Sequence, residues 1–105
     1  MLVSVTADGK KIVTLTTTGP TNYTTGGFQV TVPELQRILA VSVNIKVNQK
    51  DDNTVYALDY DYSGNTITFK AYKLDVTATA PSQWSEVSNG TNISGIVINI
   101  TAIGV

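Results

Sequence analysis

VYALDYDYSGNTITFKAY, residues 55–72, alternates in character on both sides of a central Ser-Gly-Asn. Tyr56, Leu58, Tyr60 and Tyr62 fall on one face of its first half, and Val55, Ala57, Asp59 and Asp61 on the other. After Ser63-Gly64-Asn65, Ile67, Phe69 and Ala71 oppose Thr66, Thr68, Lys70 and Tyr72. A side-chain period of two is that of a strand, and Gly with Asn between two such runs predicts an antiparallel hairpin.

The same alternation recurs along the chain. Val3 and Val5 begin an edge strand, and Asp8-Gly9 signals a turn before KIVTLTT at residues 11–17. Residues 18–27 (TGPTNYTTGG) read as a loop, followed by Phe28, Val30 and Val32 in alternation. Residues 33–39 (PELQRIL) carry the one helical signal, with Pro33 at a first helical position and Leu35, Ile38 and Leu39 at i, i+3, i+4. One short helical turn is predicted there. Val41, Val43, Ile45 and Val47 then point inward, and Ile96, Ile98 and Ile100 form a closing strand. Residues 48–53 read as a polar tip, and residues 73–95 are weakly patterned around Trp84, a lone aromatic expected to plug an end of the fold. About seven short strands at this spacing predict an all-β protein, a single antiparallel β-sandwich of jelly-roll-like type over residues 1–105.

Composition narrows the chemistry. Histidine and cysteine are both absent, which removes the commonest general base, every thiolate and every disulfide. Charged residues make up 14%, against roughly 25% in an ordinary soluble domain. Sixteen threonines and eight asparagines take their place, so the expected surface is neutral and rich in hydroxyl groups. Such a surface suits a protein packed against copies of something. The net charge of −1, without a basic cluster, argues against nucleic acid as partner. No signal peptide and no apolar run near the ~20 residues of a membrane span are read, which predicts a soluble protein made without export. The four Asn-x-Ser/Thr sequons, at Asn22, Asn89, Asn92 and Asn99, are then incidental.

Three groups were candidates for chemistry. Asp59 and Asp61, two apart on a strand, lie ~7 Å apart on one face, a spacing open to acid/base work. A solvent-facing strand side has the same pattern and is the preferred reading. Asp51, Asp52 and Asn53 are rich in oxygen but lack the shaped loop of a calcium site. Tyr56, Tyr60 and Tyr62 read as core or subunit contacts in preference to a stacking platform. No catalytic residue, cofactor, metal or small-molecule substrate is expected.

Several segments, in order, resemble the small head decoration, or cement, proteins of tailed bacterial viruses. They are Tyr23-Thr24-Thr25-Gly26-Gly27, the Leu35 and Leu39 turn, the valine-rich strand from Val41 to Val47, and the hairpin from Asp59-Tyr60-Asp61-Tyr62 to Tyr72. Glu86-Val87-Ser88-Asn89-Gly90-Thr91-Asn92-Ile93-Ser94 and Ala102-Ile103-Gly104 complete the set. Ile93 stands where those proteins have leucine, and the span from Tyr72 to Glu86 is short where they often carry an insertion. The resemblance implies a jelly-roll-like virion structural protein on the capsid exterior, made in the host cytoplasm, that clamps neighbouring copies of the major capsid protein. It further implies a homotrimer. Leu2, Val3 and Val5, as an arm that could add a strand to a partner, and Tyr23, Thr24 and Thr25 are the expected partner contacts. Glu86, Asn89 and Thr91 of the later loop complete them. The alternative, from another class, is a carbohydrate-binding module of a phage tail or fibre, with Tyr56, Tyr60, Tyr62 or Trp84 as the sugar platform.

Overall fold

The computed structural model describes residues 2–48, 54–75 and 84–105. Among the described residues eight strands run in order: β1 (Leu2–Val5), β2 (Lys11–Thr18), β3 (Phe28–Thr31), β4 (Ile38–Val47), β5 (Thr54–Ser63), β6 (Thr66–Asp75), β7 (Ser85–Glu86) and β8 (Ile96–Gly104). They form two antiparallel sheets, ordered β1-β2-β8-β4 and β3-β6-β5, with the short β7 also pairing β6. The protein is an all-β sandwich.

The hairpin at residues 55–72 forms as its alternation dictates. Ser63 pairs with Thr66 across a two-residue loop, and every pair from there to Thr54 and Asp75 keeps register. Gly64 takes a φ of 58°, a left-handed conformation that glycine adopts without a Cβ penalty. On the inner face Ile67, Phe69 and Ala71 are fully buried.

Strand β8 is the spine of the first sheet, paired with β2 on one side and β4 on the other. Ile96, Ile98, Ile100 and Ala102 point into the core with almost no exposure. Each of the three isoleucines contributes roughly 1.5–3 kcal/mol by leaving water. Asn99 lies on the opposite, exposed face, where its Oδ1 accepts the Thr16 hydroxyl at 2.8 Å.

The expected helical turn at residues 33–39 is a turn leading into a strand. Leu35 N–H donates back to the Val32 carbonyl, but the N–H groups of Gln36 and Arg37 donate to the carbonyl of Val105. Those donors are thereby taken out of any helical ladder, and β4 starts at Ile38. Leu35 and Ile38 are both buried. The i, i+3 spacing records that shared burial, which a turn satisfies as well as a helix. A bulge at Leu39 follows, where the register with β8 shifts.

Trp84 does not plug an end. Pairing of Ser85 with Lys73 holds it beside β6, where half of it is exposed (50%). The tip residues Asp51, Asp52 and Asn53 lie outside the described residues.

Candidate functional site

The core is closed on one side by two loops and left partly open on the other. Closure comes from residues 19–27, between β2 and β3, and residues 87–95, between β7 and β8. Tyr23 N–H donates to the Thr91 carbonyl at 2.9 Å, and Gly90 N–H returns a bond to the Tyr23 carbonyl at 2.6 Å. Ile93 N–H donates to the Pro20 carbonyl at 3.0 Å, and Thr25 N–H to Asn89 Oδ1 at 3.2 Å. Tyr23, Val87 and Ile93 fill the space beneath.

The Tyr23 hydroxyl stands where the second sheet lacks a strand. Along one edge of β6, β3 ends opposite Phe69 and β7 begins opposite Tyr72. Ala71 lies between them. Its carbonyl accepts Val87 N–H at 2.9 Å, and its N–H donates to the Tyr23 hydroxyl at 3.1 Å. That hydroxyl in turn donates to Glu86 Oε2 at 2.6 Å, which also accepts Gly26 N–H at 2.7 Å. A side chain thus supplies the missing rung, and every polar atom on the route is satisfied. Gly27 follows with a φ of 116°, and a Cβ there would strike the Phe69 carbonyl, so no other residue fits beside β6.

Two titrations are displaced by this link. Burial pushes the Tyr23 phenol up to about 12, and its hydrogen bond to the Glu86 carboxylate adds to the shift. The same hydrogen bond, with the Gly26 N–H, holds the Glu86 carboxyl below its ordinary 4.5.

Of the expected contact residues, Tyr23 is therefore corrected. It is expected to contact a partner, whereas its relative exposure is 0%. The loop tyrosine is a core residue, because its ring fills the closed side and its hydroxyl completes the sheet. Glu86, read as a partner contact, is half-buried and engaged by Tyr23. Thr24, Thr25 and Asn89 remain exposed around this junction, and Thr91 is half-buried with its hydroxyl donated to the Ser88 carbonyl at 2.7 Å. Leu2, Val3 and Val5 lie apart from them on β1, where Leu2 pairs with Thr14 and Val5 with Lys11. The segment is an edge strand of the first sheet, and Val3 and Val5 are exposed, Val5 to 68%.

On the open side, β4 and β5 are the outer strands of their sheets. The inward rows Val41, Val43, Ile45 and Tyr56, Leu58 pack against the core but are only half-buried. Val47, Tyr60 and Tyr62 in the same rows are exposed. Tyr62 ties the sheets together by donating its hydroxyl to the Leu39 carbonyl at 3.1 Å, at the bulge.

Asp59 and Asp61 act on the same edge. The N–H groups of Tyr60 and Tyr62 donate to Asp59 Oδ1 (3.0 Å) and Asp61 Oδ1 (2.8 Å) instead of across to β6. Alternate residues of an antiparallel strand direct their backbone groups to opposite sides, so these are edge donors. The carboxylates shield an edge that would otherwise invite another chain. Among the described residues, no group of three or more His, Cys, Asp or Glu is placed to hold a metal ion.

The uncovered rows have no signature in the sequence, since alternation marks an inward face without saying how well it is covered. Comparison of the chain with known protein families, curated proteins and solved structures found no match.

Proposed function

We propose that the chain is a virion structural protein that decorates a viral capsid, bridging adjacent copies of the major capsid protein as a homotrimer and without catalysis. The observation that supports this most is the open side of the sandwich. A neutral, hydroxyl-rich protein leaves Val47, Tyr60 and Tyr62 exposed beside two unpaired strand edges, with Val3 and Val5 uncovered on β1. Exposed apolar rows next to bare edges mark surfaces that other chains cover. Closed symmetry is the usual way to cover identical edges, which favours a trimer around the β4–β5 side. The β1 edge and the exposed Thr24, Thr25 and Asn89 are then left for the capsid. A protein that binds only the assembled lattice stabilises it by mass action, so a rigid scaffold with contact surfaces suffices.

Of the alternative sugar platform, Tyr56, Tyr60, Tyr62 or Trp84, the tyrosine row has less support. That row faces inward, and the Tyr60 ring lies 6.0 Å from Phe69 in a tilted core contact.

Light scattering on the purified protein, with co-sedimentation on undecorated capsids of a tailed phage, tests the proposal. The expected species contains three chains of 11.2 kDa and pellets with the capsids. A monomer in solution that also stays in the supernatant would sink it.

A further inference from the structure

The outer face of the β5–β6 hairpin carries a groove, reached at its rim by Tyr60 and Tyr62. Two adjoining concavities, of about 430 and 360 Å³, share Asp59 and Tyr72 in their walls. The first adds Asp61, Thr68 and Lys70, and the second adds Trp84. From Ala57 to Ser63 the groove floor spans six residue steps, ~20 Å of strand.

We propose that this groove binds a neutral oligosaccharide. Its two ends differ in the way such a ligand requires. At one end Tyr72 and the half-exposed Trp84 supply apolar aromatic surface against which the C–H face of a sugar ring can lie. At the other, carboxylate, ammonium and hydroxyl groups stand side by side to exchange hydrogen bonds with sugar hydroxyls. Asp59 and Asp61 each commit Oδ1 to a backbone N–H, which fixes the carboxylates. Their Oδ2 atoms have no partner among the described residues and are available as acceptors. A few placed polar groups beside an apolar wall is the usual make-up of a ligand site. Two carboxylates against one ammonium in the groove disfavour uronic or sulfated chains, and the ~20 Å length favours several sugar units over one.

Trp84 is the chain's single tryptophan, so its fluorescence reports on this groove alone. The test titrates the full chain with cellohexaose, maltohexaose and chitohexaose, with tetra-galacturonate as an anionic control, followed by fluorescence and calorimetry. The expected result is a saturable change in Trp84 emission with at least one neutral hexasaccharide and none with the control. Tyr72→Ala and Trp84→Ala, the latter read by calorimetry, should each weaken binding about tenfold, the size of one lost stacking contact. Asn44→Ala, on the outer face of the other sheet, should leave it unchanged. Circular dichroism checks the fold of each variant, and Trp84, half in solvent, is the substitution least able to disturb it. Silence toward all three neutral sugars overturns the proposal. So does binding that survives both aromatic substitutions, or a groove that takes up only an apolar dye, which would assign it to a protein partner. None of these results bears on capsid binding through β1, and light scattering reads the trimer separately, because Tyr60 and Tyr62 line both the groove and the β4–β5 side.

Discussion

Tyr23 and Tyr60 stand near opposite ends of one aromatic row across the inner face of the second sheet, in very different surroundings. From Tyr60 the row passes to Phe69 at 6.0 Å, to Phe28 at 5.4 Å and to Tyr23 at 6.3 Å. At the Tyr23 end two loops close over the ring, and its hydroxyl completes a hydrogen-bonded ladder. At the Tyr60 end no described loop closes over the ring, which is 39% exposed. Residues of one type and one row thus do two jobs. The closed side secures the fold, and the open side keeps apolar surface in reserve. The cost of substitution should therefore fall steeply from one side to the other.

The sharpest break comes at Tyr23. Removing a fully buried aromatic ring costs about 3–5 kcal/mol, and Tyr23→Ala also leaves Ala71 N–H without its acceptor. Chemical denaturation should show that loss, enough to unfold a domain of ordinary stability. Tyr60→Ala, at the other end, should cost about 1 kcal/mol, because the ring is part-exposed and loses chiefly its contact with Phe69. Equal costs would mean that the loops do not close the core as described.

A subtler change at the same place is Tyr23→Phe, which keeps the ring and removes the rung. It should cost about 1–3 kcal/mol, the desolvation penalty of the Ala71 N–H left unpaired. It should also reshape the pH profile. The Glu86 carboxyl is held below 4.5 in the folded state, so its contribution is present above pH 4.5 and drains away as the pH falls through the folded value. The Tyr23 phenol is raised from 10.0 to about 12, so its contribution is complete below pH 10 and is lost as the pH climbs toward 12. Denaturation midpoints of the native chain should decline in both windows. In Tyr23→Phe the alkaline decline attributable to residue 23 should vanish and the acid decline should shrink. Unchanged profiles would show that the Tyr23–Glu86 bond does not persist in solution.

The contrast also explains what could be read in advance. The hairpin and the strand from Ile96 were legible because alternation and a turn glycine are local signals, and each local preference agreed with the fold. The sandwich followed from them. Tyr23 was not legible in its true role. A tyrosine among threonines and glycines has no period, and its burial depends on a loop more than sixty positions away. The segments 23–27 and 86–94 read in sequence as surfaces for a partner, whereas their polar atoms answer one another. Glu86 beside the apolar Val87 was the one clue to a buried partner. The segment at residues 33–39 misled for a related reason, since its backbone donors are taken by the far end of the chain at Val105. The open side escaped because coverage is a property of two sheets together.

The smallest expected effect on stability lies on the edge of β5, where Asp59 and Asp61 hold the N–H groups of Tyr60 and Tyr62. Both residues are exposed, and a hydrogen bond from a donor that water can reach contributes little. Asp59→Ala with Asp61→Ala should shift stability by no more than about 0.5 kcal/mol. The edge itself should change character. With the carboxylates gone, two more backbone donors stand free beside Thr54, Tyr56 and Leu58, and two charges that repel an approaching strand are lost. The double variant should therefore form species larger than the native protein does at the same concentration, measured by sedimentation velocity, with thioflavin binding on prolonged incubation. Asp59→Asn with Asp61→Asn is the informative companion. It keeps an acceptor oxygen at each position and removes only the charge, so it separates capping from repulsion. If the Ala pair associates and the Asn pair does not, the hydrogen-bonded caps protect the edge. If both associate alike, charge is the guard. If neither does, the open side is protected by its side-chain rows alone, and its contacts with other chains run through those side chains rather than through added strands.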